Sequence, residues 1–370
     1  MAIAPVDLRS DTLTRPCSGM RLAMSNADVG DDCFGEDRCV RALEERCAEA
    51  FGRDAALYFP TGTMSNQVAL RVLTRPGDEI VCDSSYHVNF FEASPSSDLG
   101  KIAINPVDTE DGVLTVHAVQ QAMFRRARWS PAYAVPKLIW VENTINGHGG
   151  RVFPAETLRL VCDFADDNGL EVYMDGARVL NASIASDVPL KVYGRTVTAL
   201  SLCFAKGLGA PMGSVLVGDV DLIAHARIFR KWYGGALHQS GFGAAAALYA
   251  LDHNLERLAE DHENANLFYS TIVSSGALTA VRPETNIVIF DVANLNVSVG
   301  EFVSQAEQSG IRMLVWRGTQ IRAVFSLNAT REDARIAAEV VSVLGDRYRR
   351  PSPTRLSYTP VPAQAAVPAE

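Results

Sequence analysis

Apolar runs of four to eight residues recur along this chain, and most stop at a polar motif punctuated by glycine. Runs at residues 55–60, 79–82, 101–106, 137–141, 170–174, 197–204 and 213–217 predict strands. Helical spacing fills the intervals. Residues 38–51 place Val40, Leu43, Cys47 and Ala50 on one face. Residues 62–73, 116–126, 154–168 and 222–229 also read as helices, with Pro154 at or near a first turn. Strand and helix alternate, and the polar motifs fall at strand C-terminal ends, the edge where α/β sheets bind ligands.

The pattern changes in the last third. A long helical stretch over 243–274 carries Ala244, Ala245, Leu248 and Leu251 on one face. A strand at 286–292, a helix at 299–310, strands at 311–314 and 321–325 and a helix at 331–348 follow. The chain therefore predicts an α/β large domain over 16–252, with a mostly parallel sheet of the seven-stranded type flanked by helices, and a small α+β domain over 253–350. Residues 1–15 are polar and irregular and read as an arm. Residues 351–370 carry five prolines and read as a disordered tail. The acidic, glycine-punctuated stretch 28–37 is of the kind that lines a site or a subunit contact.

Composition narrows the class. The 370 residues are 48% hydrophobic, ample for a large core. The net charge is −9 and no basic stripe is interleaved with aromatics, so nucleic acid is not a favoured partner. No apolar run approaches the roughly 18–20 residues of a membrane span. Residues 1–11 are mixed and charged and predict no secretory leader. Seven scattered cysteines without a CxxC suit reduced thiols in a cytoplasmic protein.

Candidate chemistry sits at four strand ends. Lys206 follows an apolar run and precedes three glycines and a proline, and a lysine kept from water serves as a Schiff-base amine. Thr61-Gly62-Thr63 places hydroxyls and backbone N–H groups at a helix start, a ready phosphate site. His87 follows a strand, as does Asp175-Gly176-Ala177-Arg178. Singly, these read as a solvated lysine, an N-cap, a surface histidine and a turn. Together, with a carboxylate about thirty residues before the lysine, they fit pyridoxal 5′-phosphate (PLP), whose pyridine nitrogen pairs with a carboxylate.

These motifs, with Asp7-Leu8-Arg9-Ser10-Asp11-Thr12, Val29-Gly30-Asp31-Asp32, Glu142-Asn143-Thr144 and Lys206-Gly207-Leu208-Gly209-Ala210-Pro211, resemble the PLP-dependent threonine aldolases. These form part of the β-eliminating lyase group of fold type I, the aspartate-aminotransferase-like enzymes. The resemblance spans residues 5–345. It implies that Lys206 is the Schiff-base lysine, that Asp175 pairs the pyridine nitrogen and that Arg178 lies near the ring's O3′. It gives Gly62 and Thr63 the phosphate, His87 the ring face, and Ser10 and Arg322 the substrate carboxylate. Arg322 also suits that role chemically, as a planar fork. Lys231 would reach a neighbouring subunit's cofactor and His238 is a further candidate cofactor contact; a homodimer or homotetramer with shared sites is implied.

Four positions depart from the family pattern: Ile145 stands where a histidine is usual, Phe34 for an aromatic hydroxyl, Ala205 for a serine and His238 for an arginine. Ile145 and Phe34 are candidate substrate contacts, and His148 is a candidate replacement histidine. The implied activity is retro-aldol cleavage of a β-hydroxy-α-amino acid to glycine and an aldehyde, with His148, His87, water or the phosphate as base. An amino-acid racemase is the alternative on the same scaffold, since it needs no β-hydroxyl contact and Ile145 offers none; a β-elimination or β-replacement enzyme is a further variant.

Overall fold

A computed structural model of the chain describes residues 5–125, 130 and 132–350, so the predicted tail at 351–370 lies outside the described residues. Its strands run in chain order as β1 (Val6–Asp7), β2 (Ala55–Phe59), β3 (Glu79–Asp83), β4 (Ala103–Val107), β5 (Pro136–Glu142), β6 (Glu171–Gly176) and β7 (Ala199–Cys203). There follow β8 (Ser214–Gly218), β9 (Thr279–Ala280), β10 (Ile287–Asp291), β11 (Ile311–Arg312), β12 (Leu314–Val315) and β13 (Gln320–Val324). Seven of them form the main sheet in the order β2-β8-β7-β6-β5-β3-β4. Neighbours from β7 to β4 are parallel, while β8 runs antiparallel to both β7 and β2. Leu138, Ile139, Trp140 and Val141 on β5 are all fully buried, which is why this strand reads as an unbroken apolar run rather than an alternation.

From β3 the chain moves outward to β4, and from β5 it moves the other way to β6 and β7. The crevice between β3 and β5 is therefore a topological switch point. The sequence places its helix signals around this sheet. Asp37 caps helix Arg38–Phe51, and Gly52 ends it in a left-handed conformation. Helix Leu190–Thr196 crosses Arg38–Phe51 so closely that a Cβ on Gly194 would stand 2.1 Å from the Phe51 carbonyl oxygen.

A four-stranded antiparallel sheet, β12-β13-β10-β9, packs with helices Leu258–Ser274, Val299–Gln308 and Arg331–Arg347. Phe268, Phe290, Phe302 and Phe325 centre its hydrophobic cluster, and Leu8 from the N-terminal segment joins it. That segment differs from the loose arm expected of it. β1 pairs in parallel with β11, Leu8 is fully buried and Asp11 is buried beyond it. Leu8, with Val6 packed beside it, is what the second core takes up from this largely polar stretch.

Two other expectations shift. The helical stretch expected over 243–274 is two helices, Gly241–His253 and Leu258–Ser274. Asn254 at the break donates its side-chain amide to the Leu208 carbonyl at 2.8 Å, turning the chain against the segment after Lys206. The strand expected over 311–314 is split between β11 and β12, which serve different sheets. Helices Val179–Ser186 and Leu190–Thr196 had no counterpart in the expected pattern.

Candidate active site

A cavity of about 330 Å³ opens at the C-terminal ends of β3, β5, β6 and β7. Of the residues expected from sequence, Ser10, Gly62, Thr63, His87, Asp175, Arg178, Lys206 and Arg322 line it. Asn66, Glu92, Glu142, Thr144, Asn146, Ser201 and Ser214 join them.

Lys206 follows β7, and its backbone is fixed from two sides. Its carbonyl accepts Thr14 Oγ1 at 2.8 Å and the Gly209 N–H at 2.9 Å. Gly209 turns there at φ +80°, a conformation that favours glycine. Asp175 lies at the end of β6, in register with Glu142 on one side and Ser201 on the other. Asn66 Nδ2 donates to its Oδ2 at 2.9 Å and the Ala177 N–H to its Oδ1 at 3.1 Å. Tyr173 in turn donates its hydroxyl to Asn66 Oδ1 at 2.9 Å, fixing the amide. β6 and β7 approach so tightly at Gly176 that a Cβ would meet the Ser201 carbonyl at 2.2 Å.

His87 opens a short helix after β3, with Nδ1 2.9 Å from Glu92 Oε1. Glu92 is buried and also accepts Asn66 Nδ2 at 3.1 Å and Gln67 Nε2 at 2.7 Å. Burial draws the imidazole's pKa down, but Glu92 and the neighbouring carboxylates outweigh it and hold it above the ordinary value. Glu142 ends β5 with its side chain buried. Burial first, and then the charge of Asp175, push its carboxyl up to about 7, against the backbone N–H groups that bond it.

Arg178 and Asp11 form a buried ion pair beside the cavity. Burial would raise Asp11, but the Arg178 guanidinium prevails and holds it at about 2. Arg322 lies over the Trp316 ring at 4.2 Å and donates to Asn146 Oδ1 at 3.1 Å and to the Arg9 carbonyl at 3.2 Å. Its Nε is buried without a protein partner, and burial lowers its pKa to about 10.

The opposite end of the cavity suits an anion. Thr61 caps helix Gly62–Leu73 by accepting the Met64 N–H at 3.2 Å, and the Ser65 N–H reaches the Thr61 carbonyl at 3.2 Å. The N–H groups of Gly62 and Thr63 have no protein acceptor among the described residues. A Cβ on Gly62 would meet nothing within 4 Å, so the helix start is open. Buried Thr144 Oγ1 and Ser214 Oγ also line the cavity without partners. A group with a phosphate at one end, a ring nitrogen to meet Asp175 and an aldehyde to meet Lys206 fits this donor set.

Five expected residues lie elsewhere. Ile145 is fully buried, and its Cγ2 faces Gly112. Its N–H bonds the Arg151 carbonyl at 2.8 Å, and its neighbours Thr144 and Asn146 line the cavity instead. His148 lines a separate cavity of about 580 Å³ with Arg151, Glu284 and Arg317, where burial lowers its pKa. Phe34, 79% exposed, lies on an outer surface with Lys231 and His238. Lys231 Nζ donates to Cys33 Sγ at 3.4 Å, and His238 Nδ1 lies 2.8 Å from Asp31 Oδ2. Sequence reasoning assigned no role to Asn66, Gln67, Glu92 or Glu142. Its available signals were two amides inside a helix otherwise buried against the sheet, a carboxylate five residues after His87, and one that ends an apolar run.

The sequence profile of the beta-eliminating lyases matches residues 7–295. The low specificity L-threonine aldolase of Escherichia coli strain K12 is 38% identical over 339 residues, covering 90% of this chain and 97% of that protein. Among solved structures, a Leishmania major threonine aldolase superposes with a TM-score of 0.79 at 19% identity, covering 92% of this chain and all (100%) of that one. An aspartate aminotransferase from Rhodobacter sphaeroides 2.4.1 superposes with a TM-score of 0.71 at 18% identity, covering 95% and 94%. The fold is thus the aspartate-aminotransferase-like fold type I, and with a relative this similar over nine-tenths of its length the chain belongs to the β-eliminating lyase family, on its threonine aldolase branch.

Proposed function

We infer that the chain is a threonine-aldolase-like lyase that uses PLP to cleave β-hydroxy-α-amino acids into glycine and an aldehyde. The observation that carries this reading is the convergence of Lys206, Asp175, His87, Arg322 and the open helix start at Gly62 on one cavity. When bound, PLP supplies an electrophilic aldehyde and an electron sink for the breaking Cα–Cβ bond. Lys206 holds it covalently, Gly62 and Thr63 take its phosphate, Asp175 keeps its ring nitrogen protonated and His87 covers its face. Arg178 serves the O3′ side through a guanidinium already oriented by Asp11.

The substrate carboxylate goes to Arg322 and Ser10. His87 is the base we assign to the β-hydroxyl proton. Nδ1 lies 2.9 Å from Glu92 Oε1, so Nε2 is the ring nitrogen we assign to accept that proton. His148 lies in the other cavity and is not needed for this step. The racemase reading draws its support from Ile145, which does not line the cavity.

Phe34, Lys231 and His238 share an outer surface, which supports a homodimer or homotetramer in which they complete a neighbour's site. No helix among the described residues is long and apolar enough to cross a membrane. The seven free cysteines support a reducing, cytoplasmic setting.

The test is aldehyde release from L-threonine and L-allo-threonine, run beside Cα–H exchange of glycine and alanine in D₂O. Acetaldehyde from either substrate is the expected result. Exchange and racemisation without aldehyde from any β-hydroxy amino acid would replace the lyase with the racemase reading.

A further inference from the structure

We propose that Glu142 is a positioning residue that fixes two walls of the active site at once, the His87 imidazole and the Arg322 guanidinium. The lyase reading enters only through the roles of those two groups.

Glu142 is 2% exposed, and no cation pairs with its carboxylate among the described residues. Both oxygens instead take backbone N–H groups. Oε2 accepts from His87 at 2.7 Å and Oε1 from Asn146 at 2.8 Å. These two N–H groups belong to different segments. His87 opens the turn after β3, and Asn146 lies in the turn after β5. Each leads directly to a cavity wall: the His87 imidazole, whose Nδ1 lies 2.9 Å from Glu92 Oε1, and Asn146 Oδ1, which receives Arg322 Nη1 at 3.1 Å.

One carboxylate thus stands a single residue away from the group that covers the cofactor ring and the group that takes the substrate carboxylate. Bonds from an ionised acceptor to backbone N–H groups are the stronger kind. They hold two chain segments across the switch point in a fixed relation. Reacting groups tolerate little slack, since a displacement of about 1 Å costs on the order of 10²-fold in rate. An ordinary strand-end acceptor would affect stability alone. This arrangement links Glu142 to ligand affinity through Asn146.

Glu142→Gln keeps the size but offers one oxygen and one NH₂, so one of the two backbone N–H groups loses its acceptor. In the cofactor-free protein, hydrogen exchange in residues 84–92 or 143–150 should accelerate about tenfold or more. In the PLP-loaded protein, glycine affinity measured by calorimetry should fall about tenfold. Asn146→Ala keeps the backbone N–H on Glu142 and cuts only the link to Arg322. It should reproduce the loss of glycine affinity while exchange around His87 stays unchanged. Wild-type exchange and wild-type glycine affinity in Glu142→Gln would overturn the proposal.

Should Glu142→Gln fail to fold, the wild-type pH profile decides. Asp175 from β6, His87 and Tyr86 from the turn after β3, Cys82 from β3 and Arg178 beyond β6 all bear on the Glu142 carboxyl, which titrates at about 7. Glycine affinity should fall as pH drops below that value, and Asn146→Ala should flatten the profile. An unflattened profile would also overturn the proposal. No arm reads aldehyde, so a failure of the lyase reading leaves these results intact.

Discussion

Arg178 meets Asp11 in a two-point ion pair, Nε to Oδ2 at 2.7 Å and Nη2 to Oδ1 at 2.8 Å, with both side chains buried. It joins the N-terminal segment to the motif that ends β6. Breaking such a pair from one side leaves an uncompensated charge, so Asp11→Ala should lower unfolding stability by about 3–5 kcal/mol, read by urea denaturation. A loss below about 1 kcal/mol would mean that the pair is not structural. The pH sign follows from the depressed carboxyl. Folded Asp11 titrates at about 2, against roughly 3.9 when unfolded. Its contribution is complete above about pH 4 and is lost as pH falls through about 2.

Glu92 sets the charge state of His87. Replacing Glu92 with Gln removes the negative partner while retaining an acceptor, so the imidazole's titration midpoint should fall. NMR of the ring resonances measures this, and an unmoved midpoint would assign the raised value to another group. Because the folded His87 pKa is raised, its contribution to stability is fully present below the unfolded value near 6.5 and is lost as pH rises through the folded one. The Gln variant should show less of that loss.

Gly176 has no room for a methyl group, with the Ser201 carbonyl 2.2 Å from a built Cβ. Gly176→Ala should cost about 1–3 kcal/mol by forcing β6 from β7. Asp175 is the adjacent residue, so PLP affinity should weaken as well. Thermal melting with equilibrium PLP titration reads both, and a variant with both unchanged would contradict the packing.

Lys206→Ala should abolish the visible absorption of the PLP-loaded protein and all aldehyde release. Its melting temperature without cofactor should stay within a few degrees. Persistent visible absorption after gel filtration would place the covalent anchor elsewhere.

Phe34 and Trp232 are 79% and 70% exposed, near Lys231 and His238. Phe34→Asp with Trp232→Asp should shift the protein toward monomer in analytical ultracentrifugation and reduce its activity. A fully active monomer would remove the shared-site reading.

Much of the sheet could be read from the sequence because its central strands are apolar throughout. The strand-end motifs at Gly62, His87, Asp175 and Lys206 could be read for the same reason, since each interrupts such a run. Helices Val179–Ser186 and Leu190–Thr196 were not legible. The first is hydrophobic without a clear face, and the second is a seven-residue turn set by Pro189 and by Gly194 against Phe51. The polar network of Asn66, Gln67 and Glu92 was hidden for a different reason. Its members occupy positions that periodicity assigns to the core, and only spatial proximity reveals that they satisfy one another. Ile145 was expected at the substrate because it stands where the family usually has a histidine; a single residue's alternation turns it into the core while Thr144 and Asn146 face the cavity.

The pairing of β1 with β11 also bears on the order in which the protein is made. Residues 6–9 leave the ribosome roughly 300 residues before the segments they join, and domains otherwise tend to form as synthesis proceeds. Leu8 donates its N–H to the Arg312 carbonyl and accepts from Val324, and Arg9 receives Arg322. Until those late residues emerge, the nascent chain has its main sheet strands but neither Arg322, which lines the cavity, nor the strand that holds the segment leading to Ser10. A ribosome-bound intermediate can therefore present the Lys206 loop while the amino-acid side of the cavity is still unbuilt.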